Sequence, residues 1–313
     1  MRTINLGASG LMAPAISLGC MRMRGLETRE AANVLEAAMA AGMNFFDHAD
    51  MYGGMGRVEE IFAAAVKEAG IKREDMMVQT KCGLVRSDDF MYNASYNFSK
   101  EHIISSAEGS LRRLNMDYVD VFLLHRPDTL MEPAEVAAAF DNLHSRGLVK
   151  HFGVSNQSAG QMKLLQKYVG HKLIVNQMQF GVMHTGMIDF GFNVNMKNDA
   201  SFDHDGGVLE YCRLENITIQ AWSPFRLNEA GGIFINHPDL PKLNEVIDGL
   251  AEKYGATKEA IATAWILRHP ADMQVIVGSM NAARIAGIAK AADIAMTRGE
   301  WYEIYLAAGN KLP

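Results

Sequence analysis

Residues 44–69 read NFFDHADMYGGMGRVEEIFAAAVKEA, and the order of features in that stretch decides the fold. Asn44, Phe45 and Phe46 form a short, mostly apolar run with two aromatic residues, which reads as a buried strand. A polar turn with glycines follows. From residue 57 onward Val58, Ile61, Phe62, Ala65 and Val66 recur three or four apart, the spacing of an amphipathic helix. Strand, turn and helix in that order make one βα unit, and the order recurs along the chain. Apolar runs at residues 15–18, 44–46, 76–80, 118–124, 151–154, 174–178, 217–221 and 274–277 are each followed by a helical candidate; one is 100–114, for which Ser99 supplies an N-cap. Eight such units after a hairpin near residues 4–11 predict the α/β class and a (β/α)8 TIM barrel.

With 313 residues and no proline- or serine-rich linker, a single domain over 1–313 is the economical reading. Hydrophobic residues make up 49% and charged residues 21%, ordinary for a globular chain, and no run approaches the ~18 apolar residues of a membrane span. The opening MRTINLGASG lacks the pattern of a secretory signal, and Cys20, Cys82 and Cys212 are too scattered for a disulfide framework, so a reducing cytoplasm is expected. A net charge of −6 without a basic run argues against a nucleic-acid partner. The 21 methionines read as adaptable core filler. Packing on the barrel accounts for every helix pattern, so none points to an oligomer. Residues 181–207, GVMHTGMIDFGFNVNMKNDASFDHDGG, are too long and polar for an ordinary connection, and a lid is expected there.

In barrels of this kind the chemistry gathers at the C-terminal ends of the strands, over a packed apolar interior. The residues ending the eight runs are Gly19-Cys20-Met21, Asp47, Lys81, His125, Ser155-Asn156, Gln177, Trp222-Ser223 and Gly278-Ser279. Taken singly, each could be a turn or a helix cap. Asp47, Tyr52, Lys81 and His125 together have a physical logic. A tyrosine is a weak acid, with an ordinary pKa near ~10, but an ammonium beside its hydroxyl stabilises the phenolate and lowers that value. Asp47 would keep the lysine charged, and His125 could orient a carbonyl oxygen. A metal-dependent hydrolase on the same barrel competes, because His48, Asp50, His125 and Asp128 are suitable ligand types. That reading sets a metal against the charge of Lys81 and leaves Trp222 without a role. His48 and Asp50 are therefore read as the frame of the turn that aims Tyr52.

The stretches FFDHADMYG, VQTKCG, LLHRPD, GVSN, NQMQF, AWSPF and VIVGSMNAARI, in this order and spacing, resemble the aldo-keto reductase family over nearly the whole chain. The resemblance extends to a bacterial oxidoreductase branch through the C-terminal EWYEIYLAAG. It implies a (β/α)8 barrel that reduces an aldehyde or ketone, a small-molecule carbonyl substrate, with NADPH. It further implies Tyr52 as general acid, Lys81 and Asp47 as the pair that lowers its pKa, and His125 as the group that positions the carbonyl. Ser155, Asn156 and Gln177 take the places that hydrogen-bond the nicotinamide carboxamide, and Trp222 that of the aromatic stacked on the ring. Ser223, Pro224 and Phe225 continue the cofactor stretch, with Gly19, Cys20 and Met21 beside it and Gly278, Ser279 and Arg284 at the phosphate end. Better-known members place a lysine, an acid and an asparagine where this chain has Gly278, Gly287 and Ile288. Arg284 is thus left to hold the 2′-phosphate of NADP(H), and NAD(H) is compatible as a second cofactor. Potassium channel β subunits, in the same family, keep the cofactor and couple it to a partner, so a non-catalytic nucleotide-binding subunit is the alternative. Met21, Met23, Phe90, Tyr92, Phe180 and Phe225 read as pocket walls and suggest an apolar or aromatic carbonyl substrate.

Overall fold

The apolar runs are short because each serves as a stave buried on both faces, as in β1 (Ile16–Gly19) and β2 (Phe45–Asp47), every residue of which is buried. The computed structural model describes residues 1–86 and 95–313. The staves continue with β3 (Met77–Cys82), β4 (Val119–Leu124), β5 (Val149–Ser155), β6 (Leu173–Gln179), β7 (Thr218–Trp222) and β8 (Gln274–Val277). Each pairs in parallel with its sequence neighbours, and β8 returns to β1, which closes the barrel. All eight expected runs are present, with ends shifted by at most two residues and the last, Gln274–Val277, unshifted.

The predicted hairpin is longer than 4–11. Its strands, Thr3–Asn5 and Met12–Pro14, pair antiparallel, and Gly7 donates its N–H to Thr218 at the start of β7. The hairpin therefore covers the N-terminal end of the barrel and leaves the other end to the βα loops. Helices α1 (Thr28–Ala40), α2 (Arg57–Ala69), α3 (Lys100–Leu114), α4 (Pro133–Ser145) and α5 (Ala159–Gln166) follow the first five strands. The second and third match the sequence periodicity at both ends, and Ser99 caps α3 by accepting from the His102 N–H. No helix among the described residues is long and apolar enough to cross a membrane.

Two expectations change. Residues 181–207 are not one open loop: a Gly181–His184 bridge, the helix α6 (Gly186–Phe192) and a 3-10 turn (Asp199–Ser201) organise them. Asp189 of α6 accepts from the Tyr305 hydroxyl at 2.7 Å, which ties the segment to the C-terminal helix. The barrel interior is also not purely apolar. Gln79 and Gln220 exchange side-chain amide bonds, Gln220 donates to Gln274, and Gln274 donates to the Pro14 carbonyl of the basal hairpin. Buried amides are tolerable only when satisfied, and this chain satisfies them by carrying a polar file up the barrel axis. At its upper end Gln79 donates to Asp47 at 2.6 Å.

Candidate active site

Side chains alternate along a strand, so Gln79 and Lys81 of β3 point to one face and Thr80 to the other. The inward pair meets Asp47, while Thr80 donates to Glu59 of α2, itself bonded to Arg113 of α3. The Lys81 ammonium is fully buried, and each of its three hydrogens has an acceptor. These are Asp47 Oδ2 at 2.8 Å, the His48 carbonyl at 2.7 Å and the Tyr52 hydroxyl at 3.2 Å. The other carboxylate oxygen of Asp47 accepts from Gln79 at 2.6 Å and Gln177 at 3.0 Å. A buried charge so surrounded is held in one place, because any displacement would leave a donor unmade.

Tyr52 reaches Lys81 from the turn after β2. The Asp50 N–H donates to the Lys81 carbonyl, and the Tyr52 N–H to that of Ala49. Gly53 follows at φ 75°, where a Cβ would come within 2.9 Å of Val58, so the turn needs glycine there. His48 and Asp50 do frame this turn. His48 lies fully buried with its ring 4.4 Å from that of Phe62, and neither ring nitrogen has a partner among the described residues. Among those residues no three His, Cys, Asp or Glu side chains are grouped so as to hold a metal ion.

Burial, and then the charge of Lys81, push the His48 pKa down to about 3. The folded chain thus protonates His48 only near pH 3, whereas an unfolded histidine protonates near 6.5. Unfolding free energy is consequently lost as pH falls through that window, by at most ~1.4 kcal/mol per unit. Asp50 acts oppositely: burial and Glu59 raise it to about 7, so its contribution is lost as pH rises towards that value. A comparison of His48→Leu with the wild type isolates the histidine. Urea unfolding should show the variant gaining ~1–2 kcal/mol relative to wild type between pH 7.5 and pH 5; parallel pH dependences would remove His48 from the acid response.

The charge of Lys81 lowers the Tyr52 pKa, as expected, but it is not the largest influence. Burial raises the Tyr52 pKa, Lys81 opposes it, Asp47 raises it again, and the net direction is upward. Tyr52 is therefore a protonated donor at neutral pH. Burial pulls Lys81 down, but Asp47 and Tyr52 outweigh it and the ammonium persists. His125, at the end of β4, is pushed well below the ordinary histidine range by burial, by Lys81 and by Arg126, so its ring is neutral. It stands edge-on to Tyr52 with ring centroids 5.9 Å apart.

Above these groups opens a cavity of about 1210 Å³. Its wall includes Gly19, Met21, Asp47, Tyr52, His125, Ser155, Asn156, Gln177, Trp222, Ser223, Pro224, Phe225, Gly278, Ser279 and Arg284, all expected from the sequence. Lys81 lies beneath Tyr52 rather than in the wall. Cys20 is a correction: its thiol is fully buried, contacts the Leu18 carbonyl and takes no part in the lining. Met23 and Phe180 are likewise buried away from the cavity, Phe180 against Trp265, and Phe90 and Tyr92 lie outside the described residues. The lid expectation for 181–207 also fails in its placement, since no residue of that segment lines the cavity. The overhang comes instead from the hairpin Arg226–Asn228 and Gly231–Ile233, just after β7.

The amides are already linked to one another. Asn156 donates to Ser155 at 2.8 Å and accepts from the Trp222 indole at 3.1 Å, and the Ser155 hydroxyl donates to the Gln177 carbonyl. Asn156 and Ser223 hold left-handed backbone, φ 57° and 51°, which costs non-glycine residues energy and is met at functional turns. Gly181 lacks the Cβ that would strike the Pro224 carbonyl at 2.5 Å, and so lets the Trp222–Phe225 turn press close. At the far end Gly278 and Ser279 lead into α8 (Ala282–Ala289), where Arg284 Nε lies 3.2 Å from Glu259 of the preceding helix, α7 (Lys258–Leu267). Sequence reasoning missed Arg22, Arg24, Arg126, Arg226 and Glu259, which also line the cavity. Arg126 was findable, because it directly follows His125 at a strand end; Glu259 sits on a helix and carried no such signal.

A family model described as Aldo/keto reductase family matches residues 15–305. The chain is 34% identical over 292 residues to the uncharacterized oxidoreductase YcsN of Bacillus subtilis, covering 91% of this chain and 90% of that protein. It is 30% identical over 319 residues to a 6-dehydroglucose reductase of Novosphingobium aromaticivorans, covering 98% and 96%. The crystal structure of a Bombyx mori aldo-keto reductase in complex with NADP shares the fold at a TM-score of 0.73 and 21% identity, covering 98% of this chain and 92% of that one.

Proposed function

The chain belongs to the aldo/keto reductase family, and from that premise we propose that it reduces an aldehyde or ketone to the alcohol with NADPH, Tyr52 supplying the proton. The observation that carries this reading is the single buried ammonium of Lys81, bonded at once to Asp47 and to the Tyr52 hydroxyl beneath a cavity large enough for a dinucleotide. The residues present suit that cofactor. Gln177 Oε1 has no donor among the described residues and can accept from a carboxamide, and Trp222 offers an aromatic face in the wall. Arg22, Arg24 and Arg284, with the N-terminus of α8, suit phosphate groups. Bound there, reduced nicotinamide supplies the hydride that adds to the carbonyl carbon.

The protein's part is the proton. As charge grows on the carbonyl oxygen, the Tyr52 O–H bond breaks towards it and the electron pair stays on the phenolate, 3.2 Å from the Lys81 ammonium. Asp47, fixed by two glutamines, keeps that ammonium charged and in place. The neutral His125 ring can donate a hydrogen bond to the same oxygen, which selects one carbonyl orientation.

Titration with NADPH followed by single-turnover oxidation with 9,10-phenanthrenequinone tests the reading. Nucleotide that binds but transfers no hydride to any carbonyl would favour a non-catalytic binding subunit instead. The choice of nucleotide rests on Arg284, which Glu259 already engages. A carboxylate at that place can accept from a ribose 2′-hydroxyl, so NADH is tolerated beside NADPH. Arg284→Ala should raise the apparent KM for NADPH by ~10-fold or more and that for NADH by less than ~3-fold. Equal shifts would mean that Arg284 does not read the 2′-phosphate.

A further inference from the structure

The cavity is far more cationic than a chain of net charge −6 would suggest. Arg22, Arg24, Arg86, Arg126, Arg226 and Arg284 line it, whereas its acids, Asp47 and Glu259, are paired with Lys81 and Arg284. The arginines fall at different places. Arg22 lies about 4 Å from where a Cβ of Gly278 would stand, beside the end of β8, and Arg284 is on the helix that follows. Arg226 is occupied by the carbonyls of Asn228 and Glu229 in its own hairpin.

Arg126 belongs to neither group. It is the residue after His125, and its guanidinium stands 5.5 Å from the centre of the Trp222 ring. It is half-buried and makes no hydrogen bond or ion pair among the described residues. The nearest acid in sequence does not serve it, because Asp128 accepts from the Phe98 and Leu130 N–H groups. Five N–H donors are thus left in the cavity beside Trp222, the aromatic that on the reductase reading stacks on the nicotinamide.

We propose that Arg126 binds an anionic group of the substrate, so that the site selects aldehydes or ketones carrying a carboxylate or phosphate a few bonds from the carbonyl. The inference rests on the reductase reading, and it adds an anionic group to the apolar or aromatic substrate expected from Met21, Met23, Phe90, Tyr92, Phe180 and Phe225, of which Met21 and Phe225 line the cavity. A planar guanidinium recognises a carboxylate or phosphate through paired N–H donors, which fixes orientation as well as affinity. Fixing the anion also fixes the carbonyl, one side of which faces Tyr52 and His125.

The test compares 4-carboxybenzaldehyde with methyl 4-formylbenzoate, which differ in charge but hardly in shape, at saturating NADPH. The wild type should favour the acid in kcat/KM by ~10-fold or more, expressed in KM, and Arg126→Met should bring the ratio near one, with Arg126→Lys between them. A wild-type ratio near one with both aldehydes reduced would overturn the anion site and leave the reductase standing. So would an equal loss for both substrates in Arg126→Met, which would assign Arg126 to holding Trp222. No reduction of either aldehyde by nucleotide-bound protein would overturn the reductase reading and the inference with it.

Discussion

Replacing Tyr52 by phenylalanine is expected to slow hydride transfer to a carbonyl by ~10³-fold or more in single turnover, since a positioned general acid contributes about 10² to 10⁴. The hydroxyl removed accepts from the Lys81 ammonium, and its ring stands edge-on to His125, so that both groups can meet one carbonyl oxygen. NADPH affinity should stay within ~3-fold, because the group acts on charge that develops only in the transition state. Rate and affinity falling together would mean that Tyr52 shapes the nucleotide site; comparable turnover in the variant would remove it from the mechanism. The hydroxyl is protonated at neutral pH, as a proton donor must be, and the Lys81 ammonium opposes the upward push of burial that would weaken it as an acid.

Lys81→Met should have the other large effect, on two readouts at once. The substitution leaves Asp47 buried beneath the cavity without its cation, and breaking a buried pair in this way costs about 3–5 kcal/mol. It also removes the charge that receives the Tyr52 phenolate, so kcat should fall by ~10²-fold or more. Adding Asp47→Asn to Lys81→Met separates the two. The neutral amide no longer needs a cation, so part of the lost stability should return in urea unfolding while activity stays low. Recovery of both would make the pair structural, and recovery of neither would mean that the glutamines around Asp47, rather than the ion pair, dominate the site's stability.

Much of this was legible in one dimension. The βα repeat follows from hydrophobic period, and the groups at the cavity follow from what ends each apolar run, because a strand terminating at the open end of a barrel presents its next side chains there. Asp47, Lys81 and His125 were found in that way and Tyr52 in the turn after the second run, while the family resemblance supplied the residues expected around a nucleotide, nearly all of which line the cavity. That logic misled at Cys20, whose thiol turns into the core, and the reading of pocket walls misled at Phe180, which packs on Trp265. It misled at 181–207 for another reason: length and polarity say that a segment is unusual, but not which side of the barrel it packs on.

The sequence by itself therefore determined the repeat, the closed parallel sheet and the residue types gathered at its C-terminal end, since each depends on order and spacing along the chain. Only the tertiary structure decided how those groups are shared. Gln177 reaches Asp47 across 130 residues, and Gln220 reaches Gln79 across 141, through the register of a closed sheet. That register gives every hydrogen of Lys81 an acceptor, the packing of two outer helices gives Arg284 a carboxylate, and Arg126 faces the cavity without one among the described residues. Side-chain pairing depends on distances across the barrel, and no pattern local to one strand contains them.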